Sequence, residues 1–180
     1  MQQARRLVFM AVAVELVLLA MSGVLLVFYY RPAGAARWND LGPAHRSIDF
    51  SSIVRNVHRA VSALLLLSVM AAAVLLVLEP WRRRSNIAMA VGFVVAGLFA
   101  SFTGYLLPWD QLSLWAVTVG QDMRGFRPII GGDTRFVLLG GTEVSSGTFV
   151  RWFFVHTAVV GLILLVFVVA AWRRERSAPA

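Results

Sequence analysis

Four long apolar runs constrain this chain more than any other feature of its sequence. They cover about residues 7–30, 53–78, 87–107 and 149–172. Each run is about 20 residues or longer, which is the helix length needed to cross ~30 Å of hydrocarbon. Because an α-helix satisfies all of its backbone hydrogen bonds within one segment, it is the natural way for such a run to cross lipid. The runs therefore predict an all-α integral membrane protein with four transmembrane helices, forming a single membrane domain over residues 1–180.

Composition limits the cofactors and partners that such a protein could have. The chain contains no cysteine, which excludes disulfides, thiolate zinc sites, iron–sulfur ligation and c-type haem attachment. Any bound cofactor would therefore have to be held by histidine. The formal net charge is +8, but the arginines lie at the ends of the apolar runs. They are interpreted as signals of membrane topology facing anionic lipid, and no nucleic-acid partner is expected.

Arginine density predicts the orientation in the membrane. Short basic segments lie at the N terminus, in the turn after the second run and after the fourth run: Arg5-Arg6, Arg82-Arg83-Arg84 and Arg173-Arg174-Glu175-Arg176. Basic residues in short segments close to spans favour the cytoplasmic side. We therefore expect a multi-pass protein of a bacterial inner membrane with both termini in the cytoplasm. The first run is too long for a cleavable signal peptide and lacks a small-residue cleavage site.

Two histidines lie at matched depth near the starts of the second and fourth runs. His58 follows Arg55, and His156 follows Arg151 in the same way. A single histidine on an apolar face is more often a core residue than a ligand. Because both runs enter the membrane from the outer side, however, the two imidazoles are predicted to lie opposite each other, where they could clamp one metal. His45, in the outer loop, is interpreted as a surface residue.

Five short motifs occur in one order along nearly the whole chain. They are Phe28-Tyr29-Tyr30-Arg31-Pro32, Arg55-Asn56-Val57-His58-Arg59, Gly104-Tyr105-Leu106-Leu107-Pro108-Trp109-Asp110-Gln111 with Trp115-Ala116-Val117, Pro128-Ile129-Ile130-Gly131, and Arg151 to His156. Each resembles the corresponding signature of the cytochrome b family, and the set is most similar to its b6 branch. The resemblance implies a four-transmembrane-helix bundle with short surface helices in the outer loop between spans three and four.

The resemblance also implies one non-covalent haem b, with His58 and His156 as the axial ligands of its iron. In the family, arginines near these histidines pair with the haem propionates. That role is implied here for three residues: Arg55, Arg59 and Arg151. Snorkelling to the membrane surface is the alternative role of these arginines.

Two further sets of residues follow from the resemblance. Gly23 and Gly104 would let the macrocycle approach the helix backbone, unless they serve small-residue helix packing. One wall of an outer quinone site is implied after the third span, at four residues: Trp115, Pro128, Ile129 and Gly131. The family's quinol-binding P-E-W-Y segment has no counterpart in this sequence, so it is expected from another subunit or not at all.

One departure from the family changes the expected function. Family members carry a second histidine fourteen residues after each of the first two, and here those positions are Ala72 and Ala170. The sequence therefore predicts one haem per chain and an electron path that is confined to the outer part of the membrane.

The predicted function is that of an electron-transfer subunit in a membrane quinol/quinone-linked oxidoreductase, which we do not expect to catalyse a reaction alone. The alternative is a degenerate cytochrome b that anchors periplasmic redox subunits. A transporter is disfavoured, because paired buried charges and broken helices are missing from the spans. The expected partners are membrane lipid, quinone or quinol, a subunit-IV-like membrane chain, and a Rieske or cytochrome c-type protein.

Glu15 is an acidic residue roughly ten residues inside the first span. An ionised carboxylate at that depth costs several kcal/mol unless it is paired. Three roles are therefore open for it. Glu15 could be protonated, could pair with an arginine of a partner, or could line a proton or quinone pocket.

Overall fold

The computed structural model describes residues 2–29, 50–79, 83–108, 110–118 and 145–176. Helices account for almost all of these residues. The α-helices are α1 Gln2–Tyr29, α2 Phe50–Leu78, α3 Arg83–Leu106, α4 Gln111–Thr118, α5 Ser146–Phe154 and α6 Gly161–Arg176. A π-helical segment, Val155–Val160, connects α5 to α6.

Four helical stretches among the described residues are long and apolar enough to cross a membrane. They are Gln3–Tyr29, Phe50–Leu78, Arg84–Leu106 and Gly147–Ala170. The predicted all-α protein with four spans is therefore confirmed. Each helix begins a few residues before its apolar run, because the first turn of a helix leaves backbone N–H groups that polar side chains or water must satisfy.

The loop between the third and fourth spans contains a short helix, as predicted. This helix is α4, which has eight residues. The later part of the loop, which includes Pro128, Ile129 and Gly131, lies outside the described residues, as does His45.

The described helices group into two compact units. The first contains the described parts of residues 1–30, 48–101 and 157–180, and the second contains those of residues 102–156. In the first unit, α1 packs along α2 and also contacts α6. The second unit is built from the end of α3, from α4, and from α5 with the first two residues of the π-helical segment.

Aromatic rings form the centre of the first unit. Phe93 on α3 is fully buried, and its ring centroid lies 6.1 Å from that of Phe9 and 5.4 Å from that of Phe167. Glycine makes room for the last of these rings, since a Cβ atom on Gly92 would clash with the Phe167 ring. Small and branched apolar residues such as Val69 complete this core.

A polar cluster lies at the opposite end of the first unit from His58. The Arg5 guanidinium lies 2.9 Å from the Glu79 carboxylate, and the two side chains are only 8% and 19% exposed. Asn86 is also buried there, and its amide donates to the Glu79 carbonyl at 3.1 Å. Arg5 was interpreted from sequence as a topology signal facing lipid. In the structure it also forms a largely buried ion pair with Glu79, which lies just after the end of α2.

In the second unit, α3 ends at Leu106 and the chain turns through Leu107 and Pro108. This agrees with the helix stop expected from proline, which lacks a backbone N–H. Asp110 then begins the next helix, because its carboxylate accepts hydrogen bonds from the Ser113 N–H at 2.9 Å and the Ser113 hydroxyl at 2.8 Å. Such side-chain acceptors satisfy the donors that a helix N-terminus leaves open.

Candidate cofactor site

His58 lies on α2, about two turns from the start of that helix, and faces α1 within the first unit. Its ring nitrogen Nδ1 is 2.8 Å from the Ser22 hydroxyl. The next residue, Gly23, lies directly beside the ring, since a Cβ atom there would be 3.5 Å from His58 Cε1. We call Ser22, Gly23 and His58 the His58 half-site.

The hydrogen bonds of the Ser22 hydroxyl favour one tautomer of His58. Ser22 Oγ donates to the Leu18 carbonyl at 2.7 Å, so its own proton is already engaged along the helix. In that arrangement the oxygen can accept from Nδ1–H, which leaves the lone pair of the neutral imidazole on Nε2. Metal-binding histidines are held in this way, with one ring nitrogen bonded to an oxygen and the other directed at the metal.

His156 has the same kind of surroundings in the second unit. Thr103, which is fully buried, places its hydroxyl 2.9 Å from His156 Nδ1. A Cβ atom on the next residue, Gly104, would lie 3.0 Å from His156 Cε1 and 3.6 Å from each ring nitrogen. Since carbon atoms prefer separations of about 3.5–4.0 Å, only glycine fits without displacing the ring. We call Thr103, Gly104 and His156 the His156 half-site.

A π-helical turn, Val155–Val160, carries His156. Such turns are rare and occur often at functional sites, because the extra residue per turn redirects side chains locally. An edge-to-face pair of Phe102 and Trp152, with ring centroids 5.9 Å apart, lies one turn from this histidine in the same unit. The aromatic pair restrains the helix segments that position Thr103 and His156.

The two half-sites share one arrangement. A hydroxyl residue is followed by a glycine on one helix, and a histidine ring from another helical segment contacts both residues. Among the described residues no group of three or more histidines, aspartates or glutamates could hold a metal ion by itself. Each half-site therefore offers a single imidazole ligand. A metal bound to one of these imidazoles would take its remaining ligands from outside that half-site.

The other residues predicted to bind haem or quinone are exposed or fall outside the described part of the chain. The side chains of Arg55 and Arg59 are exposed on α2 within one turn of His58, and Arg151 is exposed on α5. Trp115 is exposed on α4. The remaining residues assigned to a quinone-site wall, Pro128, Ile129 and Gly131, are not among the described residues.

Ser22 and Thr103 are the site residues that sequence reasoning missed. The sequence does contain a signal for these two residues. Each directly precedes a glycine that the family resemblance implies lies beside the haem, giving Ser-Gly at 22–23 and Thr-Gly at 103–104. Serine and threonine in a membrane helix usually bond to the carbonyl one turn earlier, so alone they carry no functional information. Their contact with a histidine on another helix is visible only in three dimensions.

Comparison with known proteins identifies the family of this chain. The profile of the family described as cytochrome b/b6/petB matches residues 6–172, almost the whole chain. The chain belongs to the cytochrome b/b6 family. Membership implies a multi-pass membrane electron-transfer protein that binds haem b, and the predicted family is therefore confirmed.

Individual cytochrome b6 proteins show how far the similarity extends. That of Gracilaria tenuistipitata var. liui is 30% identical over 149 residues, which are 81% of this chain and 69% of the relative. That of Heliomicrobium gestii is 27% identical over 153 residues, covering 83% and 72% of the two chains. A third, from a Picosynechococcus strain, is 28% identical over 152 residues, covering 83% and 68%.

Proposed function

We propose that this chain is the single-haem b electron-transfer subunit of a membrane quinol/quinone-linked oxidoreductase related to the cytochrome bc and b6f complexes. His58 and His156 are its axial ligands. The observation that carries this proposal is the matched pair of half-sites, in which a hydroxyl holds Nδ1 of each histidine and a glycine clears the space beside its ring.

The residues present fit haem b. The porphyrin brings four nitrogen ligands of its own, so the protein needs to provide only two imidazoles, and the half-sites provide one each. When bound, haem b would supply a one-electron iron couple held by two histidines, which suits electron transfer. Ser22 and Thr103 hold the imidazole planes, while Gly23 and Gly104 leave their helix backbones open to close approach.

Three arginines are suited to the propionate carboxylates of the haem: Arg55, Arg59 and Arg151. A guanidinium presents parallel N–H donors that match a carboxylate fork. All three side chains are exposed and lie within about five residues of a proposed axial ligand. They would therefore anchor the polar edge of the macrocycle at the helix ends while the histidines bind its centre.

The packing of the first unit supports one haem rather than two. Fourteen residues beyond His58, about 21 Å along α2, the chain has the buried residue Ala72. Fourteen residues before Gly23 lies Phe9, whose ring packs against the buried Phe93. The positions that match His58 and Gly23 at the level of a second macrocycle therefore hold Ala72 and Phe9, so neither a ligand nor a glycine stands at these two positions.

The topology and the partners follow from the same proposal. The chain spans a bacterial inner membrane with both termini on the cytoplasmic side, and the haem lies near the outer face. The exposed Trp115 forms one wall of an outer quinone site together with Pro128, Ile129 and Gly131. The remaining parts come from partners, namely a subunit-IV-like membrane chain and a Rieske or cytochrome c-type protein.

Reduction by a quinol analogue tests whether the haem carries electrons or only stabilises the chain. The purified complex is mixed anaerobically with the quinol, and the haem b absorbance is followed against steady-state turnover. We expect the haem to be reduced at least as fast as the complex turns over. A haem spectrum that never changes on that timescale would show the chain to be a structural anchor for its redox partners.

A further inference from the structure

Glu15 is an ionisable side chain in the middle of the first span, and its surroundings are unusual. Its carboxyl oxygen Oε1 accepts a hydrogen bond from the Ser68 hydroxyl at 2.9 Å. Its second oxygen, Oε2, is buried and has no hydrogen-bond partner among the described residues. A buried polar atom without a partner in a native fold requires a physical explanation.

The charge that the Glu15 carboxylate would carry points to an explanation for its unpaired oxygen. An ionised carboxylate is strongly disfavoured in the hydrocarbon region without a cation, whereas the neutral acid is tolerated far better. A hydroxyl donor such as Ser68 cannot neutralise the charge. Glu15 therefore needs either a proton, for which Oε2 is the oxygen without a hydrogen bond, or a positive charge nearby.

Among the described residues, the helices packed around Glu15 bring no counter-charge to its level. On α2 the nearest titratable groups are His58 and Arg59, both towards the predicted outer end. The sequence has no ionisable side chain between Arg59 and Leu78 on α2, between Arg84 and Gly104 on α3, or between Gly161 and Trp172 on α6. On α1 the nearest are Arg5 and Arg6, about three turns away, and Arg5 is paired with Glu79.

The position of Glu15 links it to the His58 half-site. Glu15 precedes Ser22 by seven residues, which is close to two full helical turns and roughly 10 Å along α1. Both residues therefore lie on the face of α1 that packs on α2, one bonded to Ser68 and the other to His58. A change of charge at the half-site acts on Glu15 through a medium that screens it weakly.

We infer that Glu15 is a proton-binding site whose occupancy follows the redox state of the haem, an inference that rests on the proposed function. When a one-electron donor such as a quinol partner reduces the haem iron from Fe(III) to Fe(II), one positive charge is lost at the half-site. Glu15 then binds one proton from the aqueous phase on Oε2, and it releases that proton when the electron leaves. One electron and one proton thus enter together, and the net charge inside the membrane is unchanged.

The test is an anaerobic redox titration of haem b in the intact complex, repeated from mildly acidic to mildly alkaline pH. If the reduced form binds the proton, the midpoint potential falls as pH rises. The limit is ~59 mV per tenfold change in proton concentration for one proton per electron. The wild type should show this fall, and Glu15→Gln, which keeps the shape and the hydrogen bond to Ser68, should flatten it.

Two variants serve as matched controls. Asp110→Asn removes a carboxylate that lies outside the spans, bonded to Ser113, and should leave the slope as in the wild type. Ser68→Ala removes the single hydrogen bond of the carboxyl group and should move the pH range of the slope without abolishing it. A wild type with no slope, or an equal slope in Glu15→Gln, would overturn the inference, because the haem propionates or another group would then be responsible.

Haem content, measured on the same samples, distinguishes a failure of the proposed function from a failure of the role of Glu15. A wild-type chain without haem contradicts the proposed function itself. Normal haem with an unchanged slope contradicts only the role of Glu15. If Glu15→Gln does not assemble, the infrared difference between reduced and oxidised wild type decides the matter. A carboxylic acid carbonyl band must appear on reduction, and its absence overturns the inference.

Discussion

Two levels of the α1–α2 pair, fourteen residues apart on each helix, have opposite character. At one level lie Gly23 and His58, with the Ser22 hydroxyl bonded to the imidazole. At the other, the corresponding positions are Phe9 and Ala72, and the Phe9 ring joins an aromatic core. The helices continue through both levels without interruption. Whether such a helix pair can bind a cofactor is therefore decided by two or three side chains and not by the fold.

The two levels also differ in what stabilises them. An aromatic ring buries about 150–250 Å² and contributes further through ring contacts, so the level at Phe9 is held by its own side chains. The His58 half-site has a glycine, a hydroxyl and an imidazole in place of this packing, so we expect a bound haem to stabilise it. Anything that binds only the native state stabilises it in proportion to affinity and concentration.

The largest expected effect comes from removing an axial ligand. His58→Ala or His156→Ala should abolish haem binding entirely, because one imidazole cannot hold a bis-histidine low-spin iron. The measurement is the pyridine haemochrome content of the purified chain, with His45→Ala as the control that keeps its haem. A normal low-spin spectrum in either variant would refute the proposed ligand pair.

The aromatic level should respond in the opposite way. Phe93→Ala removes the central ring and should lower the free energy of unfolding by about 3–5 kcal/mol, while the haem stays bound in the fraction that remains folded. Phe28→Ala, at a site that is 80% exposed, is the matched control and should change little. Thermal unfolding with haem absorbance recorded in parallel checks both statements. Loss of haem from a still folded Phe93→Ala protein would mean that the two levels are not independent.

Removing the hydroxyl partners tests the half-sites more finely. Ser22→Ala or Thr103→Val should weaken haem binding by about 10–100-fold, the usual effect of losing the partner that orients a metal-binding histidine. Ser62→Ala is the control, because its hydroxyl bonds to the Arg59 carbonyl on the exposed side of α2 and contacts no histidine in the described structure. Haem transfer to apomyoglobin reports the affinity. Equal transfer rates in Ser22→Ala and Ser62→Ala would show that the tautomer of His58 needs no hydroxyl.

The smallest effect separates the two glycines. A Cβ on Gly104 would approach His156 to 3.0 Å, but a Cβ on Gly23 would lie at 3.5 Å from His58, an ordinary contact. Gly104→Ala should therefore shift the haem spectrum and potential more than Gly23→Ala. A comparison of the midpoint potentials of the two variants measures the difference. The reverse order would mean that the macrocycle, rather than the histidine ring, is the closest neighbour of these glycines.

Much of the architecture could be predicted from sequence, because it follows from composition and periodicity. The four spans and the helix stop before Pro108 depend on local residues and are present in the structure. The aromatic core was not predicted, since phenylalanines such as Phe9 and Phe93 in an apolar span look the same whether they face lipid or protein. The burial of Arg5 against Glu79 was missed for a related reason, as the two residues are far apart in sequence and meet only through helix packing.

In the candidate site, too, sequence motifs were predictable and contacts between helices were not. Motif resemblance identified His58, His156 and both glycines, and their ligand roles stay predictions. Ser22 and Thr103 were not found, because a hydroxyl in a membrane helix bonds to its own backbone by default. Glu15 was recognised as anomalous by its charge alone, whereas its bond to Ser68 required the packing of α1 on α2.

Haem stoichiometry tests the central claim most directly, since the claim is that this helix pair has a ligand level and a packed level. The purified chain is assayed for haem by the pyridine haemochrome and for protein by amino-acid analysis, and the haem is then titrated anaerobically. The account predicts one b haem per chain, not covalently bound, that titrates as a single component. Two haems per chain, or two components of equal amplitude, would mean that the level at Phe9, Ala72 and Phe93 also binds a macrocycle, which would contradict it.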